Sequence, residues 1–390
     1  MLFGNKESAD LHEGFFQESN FYYLTGWEEP GAIVVITPDV EKDEPGGDAR
    51  RSAPREILFL PQRQPSEEKW TGRKLGPDDT EAKETTGFKS VRPAEEFESQ
   101  FAKLLALYPN VYTLTGDPGE ATLAKLAPMR KISDVRMQIA ALRMEKSADE
   151  IAAIQKATDA SIDAHRAAWR AIAPGKYEYQ ISAVMVSTYM SEGCQRSAYT
   201  PIVGSGRNST TLHYSRNSRR MDAGDVVVMD VAGECDYYAS DITRTVPANG
   251  KFSPRQKEIY EIVLAAQKAA IAAAKPGMTV GRKTPNSLYK IAYDYINTHG
   301  KDRHGESLGK YFTHGLSHDV GLDVHDPADY SVPLKAGMVI TVEPGIYIPE
   351  ENIGVRIEDV VLITETGAKV LSEALPKEAQ EIERAMAERP

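Results

Sequence analysis

The sequence contains few of the features that mark specialised protein classes. Only two cysteines, Cys194 and Cys235, occur among 390 residues, and they form no Cys-x-x-Cys pair. A disulfide framework is therefore not expected, and either residue can be an ordinary buried thiol. No apolar run approaches the roughly 18–20 residues that a membrane-spanning helix needs. Residues 1–10 lack the apolar core of a signal peptide. These absences favour a cytoplasmic protein without a membrane partner.

The chain also lacks an excess of positive charge, with 46 Lys and Arg residues against 57 Asp and Glu residues. The formal net charge is -11 and the isoelectric point is about 5.4. Dense arginine clusters occur only at residues 50–51 and 216–220, and both are short. Proteins that bind nucleic acids usually present a basic patch, so we expect no nucleic-acid partner.

The first third of the chain has the pattern of a small α/β domain. Residues 21–37 predict apolar strands that are interrupted by a turn at residues 28–31, and residues 38–55 suit the loop at a hairpin tip. Residues 56–61 predict a strand, and residues 94–108 predict a helix with one apolar face. We therefore expect an N-terminal domain over residues 1–132, followed by a linker over residues 133–146.

The remainder, residues 147–390, contains a repeated arrangement. A capping-box pattern at residues 147–150 begins a predicted helix, and Pro174–Gly175 ends it. A similar pattern at residues 253–256 begins another helix, which Pro276–Gly277 ends, 102 residues after the first stop. A second helix, a histidine-containing stretch and a β-hairpin follow each time. We infer an internal duplication, and hence an α+β domain with pseudo-two-fold symmetry and a site between its halves.

The hairpin of the first half carries two acids. Residues 225–246 alternate in strand fashion, and Asp230 and Asp241 each lie on one face of their strands. If these two acids are cross-strand partners, the centre of the hairpin falls between Cys235 and Asp236. Directly paired side chains have Cβ atoms roughly 4.5–5.5 Å apart. Two carboxylates at that distance repel each other unless a cation lies between them.

The hairpin of the second half repeats this pattern. Within residues 338–364, Glu343 and Glu358 pair about a centre between Glu350 and Glu351. Each half therefore offers two facing acids, and four converging carboxylates would be destabilising without cations. The alternative is that these acids are ordinary surface residues of amphipathic hairpins, which their symmetric pairing disfavours.

Histidines cluster just ahead of the second hairpin. His314, His318 and His325 fall within twelve residues, and His213 lies in the equivalent stretch of the first half. Imidazoles beside a carboxylate hairpin suit metal binding and proton transfer. His165, in contrast, lies near the apolar stripe of its helix and is interpreted as a packed residue.

Four carboxylates and an imidazole form a donor set rich in hard oxygen ligands. Such a set favours Mn²⁺, with Co²⁺, Fe²⁺ or Zn²⁺ as other possibilities. Four carboxylates can hold two divalent ions, and two ions that share a water generate a hydroxide near neutral pH. The chemistry expected is hydrolysis of a carbonyl or phosphoryl compound.

At these residues the sequence resembles the methionine aminopeptidase/prolidase superfamily with its pita-bread fold, and within it the Xaa-Pro aminopeptidases. The stretches MDVAGE, SDITRT, HGLSHDVGLDVHD, TVEPGIY and VRIED carry the resemblance. They match the ordered metal ligands of that family to Asp230, Asp241, His318, Glu343 and Glu358. FYYLTGWEEPGAIVVI resembles the creatinase-like N-terminal domain of these enzymes.

The resemblance implies a role for each metal ligand. Asp241 and Glu358 should bridge two ions, Asp230 should bind one ion, and His318 and Glu343 should bind the other. Glu343 should also act as the base that takes the proton of the attacking water.

The resemblance also implies residues that contact the substrate. His213 and His325 match catalytic histidines that stabilise the transition state or transfer protons. His314, Tyr347 and Arg356 match residues that line a proline pocket.

The implied function is metal-dependent hydrolysis of the N-terminal Xaa-Pro bond by a hydroxide held between two metal ions, with peptides that carry proline at the second position as substrates. Relatives often form dimers or tetramers, so a homo-oligomer is expected. The nearest alternative is an Xaa-Pro dipeptidase (prolidase). A metal-free creatinase-like hydrolase and a non-catalytic pita-bread binding module are disfavoured because all five metal ligands are present.

Overall fold

A computed structural model describes residues 1–7, 14–38 and 55–388. The chain divides into two compact units, Met1–Ile139 and Ala140–Pro390. Most of the predicted hairpin-tip loop, residues 39–54, lies outside the described residues. The domain limits given above stay a prediction.

The first unit contains a four-stranded sheet and a separate parallel strand pair. The sheet has the order β1 (Leu2–Phe3), β2 (Ile33–Ile36), β3 (Glu56–Leu60) and β4 (Val91–Pro93), and only β3 and β4 pair in parallel. The separate pair is β5 (Val111–Thr113) and β6 (Ile132–Asp134). The helices are α1 (Ser19–Thr25), α2 (Glu68–Thr71), α3 (Ala82–Thr86), α4 (Phe97–Leu107) and α5 (Pro118–Leu126), with a 3₁₀ turn at Ala94–Glu96. Helix α6 (Arg136–Met144) begins in the first unit and ends in the second.

One prediction for this unit was wrong. Residues 21–25 were expected to form a strand, but they belong to helix α1. The Glu18 side chain accepts a hydrogen bond from the backbone amide of Phe21, which caps the helix at its start. Gly26 ends the helix in a left-handed conformation with φ of 62°. The strand at residues 56–61 and the helix at residues 94–108 are confirmed as β3 and α4.

The second unit contains two successive helix pairs, as the repeat predicted. The helices are α7 (Ala148–Ala171), α8 (Glu178–Ser191), α9 (Pro254–Ala273), α10 (Leu288–Thr298) and, near the end of the chain, α11 (Ala379–Ala387). Both predicted capping boxes are formed, at Ser147 with Glu150 and at Ser253 with Gln256. Short 3₁₀ turns occur at Gly206–Thr210, Leu308–Tyr311 and Pro349–Glu351.

Four small antiparallel sheets pack with these helices around one apolar core. The strands of the second unit are β7 (Arg196–Ser197), β8 (Ile202–Ser205), β9 (Val226–Asp230), β10 (Gly233–Cys235), β11 (Tyr238–Ala239), β12 (Thr243–Pro247), β13 (Val339–Val342), β14 (Gly345–Ile348), β15 (Ile353–Arg356), β16 (Asp359–Ile363) and β17 (Ala368–Val370). The sheet orders are β11-β10-β7, β12-β9-β8, β13-β16-β17 and β14-β15.

The register predicted for the first hairpin was wrong. Asp230 pairs with Thr243, so Asp241 is a diagonal neighbour rather than the direct partner. The centre of the hairpin falls between Asp236 and Tyr237, whose φ angles are 51° and 67°. Two successive left-handed residues are typical of the tight type I′ turn, whose twist matches that of the strands. The shift of two residues keeps both acids on the same face, because side chains alternate along a strand.

The register predicted for the second hairpin is confirmed. Strands β13 and β16 pair in a register that continues into β14 and β15, so that Glu343 lies opposite Glu358.

The cysteines also differ from expectation. Cys194, just after α8, and Cys235, at the end of β10, form a disulfide. They are 41 residues apart in sequence, and the pairing of β10 with β7 brings their segments together. This contact depends on tertiary structure, so cysteine spacing alone could not predict it.

Within the described part of the chain, no helix has the length and apolarity required to cross a membrane.

Candidate active site

A cavity of about 530 Å³ in the second unit brings nearly all the predicted site residues together. Its lining includes His213, Asp230, Asp241, His314, His318, His325, Glu343, Arg356 and Glu358. Tyr347 lies behind this lining, where its hydroxyl is 2.8 Å from His314 Nε2 and 2.9 Å from Arg356 Nη1. A cavity of this size can enclose a short peptide segment.

The four acids meet because the hairpins of the two halves contact each other. Strand β12 of the first half lies beside β15 of the second. The Thr243 hydroxyl donates to Glu358 Oε2 at 2.6 Å, and the backbone amide of Glu358 donates to the Thr243 carbonyl at 3.1 Å. Each acid lies within two residues of the end of a strand, and its side chain lines the cavity.

Asp241, His318 and Glu358 form the tightest group. One ligand atom from each residue lies within 4.8 Å of the other two. His318 Nε2 is 3.2 Å from Asp241 Oδ2 and 3.7 Å from Glu343 Oε1. His318 Nδ1 is 3.0 Å from the backbone carbonyl of Asp319, which orients the ring so that Nε2 faces the acids.

Burial and mutual repulsion raise the pKa of two acids in this cavity, Glu343 and Glu358. Burial, together with Asp241 and other neighbouring carboxylates, raises the pKa of Glu358 well above its usual value. Burial also raises the pKa of Glu343 to about 7, against the opposing effect of His318. Burial alone would lower the pKa of His318, but its hydrogen bond to Asp241 and the nearby negative charges raise it to about 9. One imidazolium cannot balance four carboxylates, and His318 must lose its proton to ligate a metal ion.

The donor set fits divalent cations. Asp230 Oδ1 is buried and has no hydrogen-bond partner among the described residues, while Oδ2 accepts a hydrogen bond from Arg356 at 2.6 Å. A buried carboxylate oxygen without a donor is costly, and a metal ion would satisfy it. Carboxylates with one imidazole are ligands that Mn²⁺ and similar ions accept.

The other predicted substrate residues surround these acids. Burial lowers the pKa of His314 to about 3, so its ring is uncharged beside Arg356. The His325 ring stacks on His318 with centroids 4.0 Å apart, and burial lowers its pKa. His213 enters the cavity from the segment that follows the 3₁₀ turn Gly206–Thr210.

Sequence reasoning missed Tyr199. Its hydroxyl donates to Asp241 Oδ1 at 2.7 Å, and burial together with the charge of Asp230 raises its pKa well above the usual value. The phenol therefore remains a donor that holds one carboxylate oxygen of Asp241. A single tyrosine ahead of a strand carries no signal that could have identified it.

Sequence reasoning also missed Glu178. This fully buried residue of α8 accepts hydrogen bonds at 2.7 Å from both the amide and the hydroxyl of Ser205. It further accepts bonds at 2.8 Å from the Tyr214 hydroxyl and the Arg219 amide. All these donors lie in residues 205–219, so Glu178 holds the segment that carries His213.

Comparison with known proteins places this geometry in context. Residues 152–365 match the family described as Metallopeptidase family M24, and residues 4–112 match Aminopeptidase P, N-terminal domain. The Xaa-Pro aminopeptidase of Haemophilus influenzae is 36% identical, over 98% of this chain and 90% of its own length. The structure of proline aminopeptidase P II from Yersinia pestis superposes with a TM-score of 0.84 at 32% identity, and the match covers 98% of this chain and 93% of that one. The Xaa-Pro dipeptidase of Pyrococcus furiosus is 43% identical over 62% of this chain and 66% of its own length.

Proposed function

The chain belongs to metallopeptidase family M24, and we propose that it is an aminopeptidase that hydrolyses the bond between an N-terminal residue and a following proline. The convergence of four acids and His318 in one cavity carries the proposal. Relatives named Xaa-Pro aminopeptidases, matched over nearly the whole chain, support the substrate class.

Membership of this family implies divalent metal ions. We propose that two ions, with Mn²⁺ favoured over Co²⁺, Fe²⁺ and Zn²⁺, are held by Asp230, Asp241, His318, Glu343 and Glu358, with Asp241 and Glu358 shared between them. When bound, such ions polarise the scissile carbonyl and lower the pKa of the attacking water.

The side chains of the chain itself handle protons and charge. Glu343 lines the same cavity and accepts the proton of the attacking water as a general base. His213 and His325 lie in the same cavity and donate hydrogen bonds to the oxygen that becomes negative as the carbonyl is attacked.

We assign the proline pocket to His314, Tyr347 and Arg356. Their hydrogen bonds through the Tyr347 hydroxyl fix the three side chains relative to one another. This arrangement presents an aromatic surface with one cation, which can orient a proline ring and its carbonyl group.

A peptidase assay tests the proposal. The purified full-length chain, loaded in turn with Mn²⁺, Co²⁺ and Zn²⁺, is given Xaa-Pro-Yaa tripeptides and matched Xaa-Ala-Yaa tripeptides. We expect release of the first residue only from the proline series. Asp241→Ala should abolish the activity, because it removes an acid shared by both ions, and full activity in that variant would contradict the two-metal site.

The second candidate is an Xaa-Pro dipeptidase, which the likeness to the Pyrococcus furiosus enzyme favours. The match of residues 4–112 to the aminopeptidase P N-terminal domain favours the aminopeptidase. Substrate length decides between them, since a dipeptidase would cleave Xaa-Pro and leave Xaa-Pro-Yaa intact.

We further propose that the protein is cytoplasmic and forms a homo-oligomer, a dimer or a tetramer. Light scattering of the purified chain at several concentrations measures the mass. A mass of 43 kDa at every concentration would exclude the oligomer.

A further inference from the structure

Two fully buried polar side chains occupy matching positions in the duplicated halves. His165 lies on α7 and Gln267 lies on α9, and both are completely shielded from solvent. They are 102 residues apart, the same interval that separates Pro174 from Pro276. Neither residue belongs to the proposed metal or substrate residues.

His165 bridges the two segments that carry the acids of the first half. Its Nε2 lies 3.1 Å from the carbonyl oxygen of Val231 and 3.2 Å from that of Ile242. Val231 directly follows Asp230, and Ile242 directly follows Asp241. Because both partners are acceptors, Nε2 carries the proton and shares it between the two strands.

Gln267 makes the same connection in the second half. Its Nε2 donates to the carbonyl oxygens of Val342 at 3.1 Å and Ile357 at 3.2 Å, and it also lies 3.1 Å from Asp359 Oδ2, an acceptor that has no counterpart at His165. These residues directly precede Glu343 and Glu358. In both halves, one nitrogen from a buried helix therefore joins the backbone beside the two acids of the hairpin.

Packing alone does not account for these side chains. His165 Nδ1 and Gln267 Oε1 are both buried without a hydrogen-bond partner in the part of the chain that the structure describes. A buried polar atom without a partner is destabilising, and an apolar side chain of similar size would avoid that cost. What both polar side chains add is the pair of bonds to backbone carbonyls next to the acids, and Gln267 adds a bond to the Asp359 carboxylate as well.

We propose that His165 and Gln267 are positioning residues, each of which sets the separation between the two acids of its hairpin and so preorganises the divalent-metal site. Each of these carbonyls belongs to a residue adjacent to an acid, so the bond from the helix fixes the backbone beside the acid while the acid itself lines the cavity. Groups that orient metal ligands in this way typically affect metal affinity about 10–100-fold. This inference rests on the ligand set given under the proposed function.

The duplication itself supplies the test. Full-length His165→Leu removes the donor, whereas His165→Gln introduces the side chain that serves in the other half. Mn²⁺ affinity and stoichiometry are measured by calorimetry after chelation, beside thermal unfolding. We expect His165→Leu to weaken Mn²⁺ binding about tenfold or more, and His165→Gln to retain affinity within about threefold of the unmodified chain.

Ile154→Ala is the matched control. Ile154 is a fully buried residue of the same helix, so its truncation lowers the unfolding temperature through lost packing. It should leave the Mn²⁺ affinity of the folded protein unchanged. If His165→Leu does not fold, Gln267→Met, which is close in volume, makes the test in the second half, and Asp359→Asn beside it measures the effect of altering the Gln267–Asp359 contact alone.

The outcomes separate this inference from the proposed function. If the unmodified chain binds two Mn²⁺ and the Leu or Met variant binds them equally tightly, the positioning role is refuted while the peptidase proposal stands. If the unmodified chain binds no divalent ion, the ligand set is wrong and the positioning role falls with it. Weaker binding in the Leu variant, retained binding in the Gln variant and unchanged binding in the Ile154 control would support the inference.

Discussion

Replacing Glu178 by glutamine should release the segment that carries His213 without changing the shape of the side chain. The carboxylate accepts bonds on both oxygens, from Ser205 on one side and from Tyr214 and Arg219 on the other. A glutamine keeps one acceptor oxygen, and in either orientation its NH₂ group faces a backbone amide, that of Ser205 or that of Arg219, which can only donate. The substitution therefore removes at least one hydrogen bond to a buried charged group and takes away the charge that strengthens the others.

The structure allows the size of this effect to be estimated. Each hydrogen bond to a charged group contributes about 1.5–3 kcal/mol, so the one bond that must be lost lowers local stability by at least that amount. Since about 1.4 kcal/mol corresponds to a factor of ten, local opening should become at least about tenfold more frequent. A displacement of His213 by about 1 Å would lower kcat/KM by up to about 100-fold.

Hydrogen–deuterium exchange measures the effect directly, because the backbone amides of Ser205 and Arg219 donate to Glu178. Their protection should fall by the factor given above, with a parallel loss of peptidase activity. Glu150→Gln is the control, since it alters an acceptor at the start of α7 and should leave residues 205–219 protected. Protection of both amides within about threefold of the unmodified chain would refute the role given to Glu178.

Three further predictions concern the metals and the charges near the acids. Incubation with a chelator should abolish Xaa-Pro hydrolysis, and Mn²⁺ should restore it, so activity that persists in metal-free protein would contradict the proposal. Arg356→Lys should lower kcat/KM at least about tenfold, because one ammonium cannot replace a planar guanidinium that bonds both Asp230 and Tyr347. Burial opposes the charge of Asp359, yet Arg244 and Lys377 lower its pKa to about 2. Because this value lies below the roughly 3.9 of an unfolded chain, the stabilisation of about 2 kcal/mol is present above pH 4 and is lost as the pH falls towards 2. Asp359→Asn should flatten this part of an acid-unfolding curve, and an unchanged curve would contradict the assignment.

Features encoded by neighbouring residues could be predicted from the sequence. The capping boxes at Ser147 and Ser253 depend on side chains three residues away, and both were placed correctly. The register of the second hairpin followed from one turn-like stretch and is confirmed. The families that match the chain agree with the resemblance drawn from its motifs.

Features that depend on backbone conformation or on tertiary contacts could not be predicted from the sequence. The first hairpin turns at Asp236 and Tyr237, which adopt left-handed conformations without a glycine to indicate them. Phe21 and its aromatic neighbours suit a strand by composition, but a cap at Glu18 makes them helical. Glu178 and Tyr199 are single residues outside any motif, and only the fold shows what they contact.

Thr243 links the hairpin of the first half to the hairpin of the second half through three hydrogen bonds, so neither hairpin can move without the other. Its hydroxyl accepts a hydrogen bond from Arg356 Nε at 3.2 Å and donates to Glu358, while its carbonyl accepts from the backbone of Glu358. A change that moves one hairpin therefore displaces acids of both. The segments around Leu212 and Val324 also line the cavity but lie outside these strands. A substitution of the Leu212 or Val324 side chain can therefore change the cavity wall without displacing the acids, provided that the adjacent His213 and His325 keep their positions.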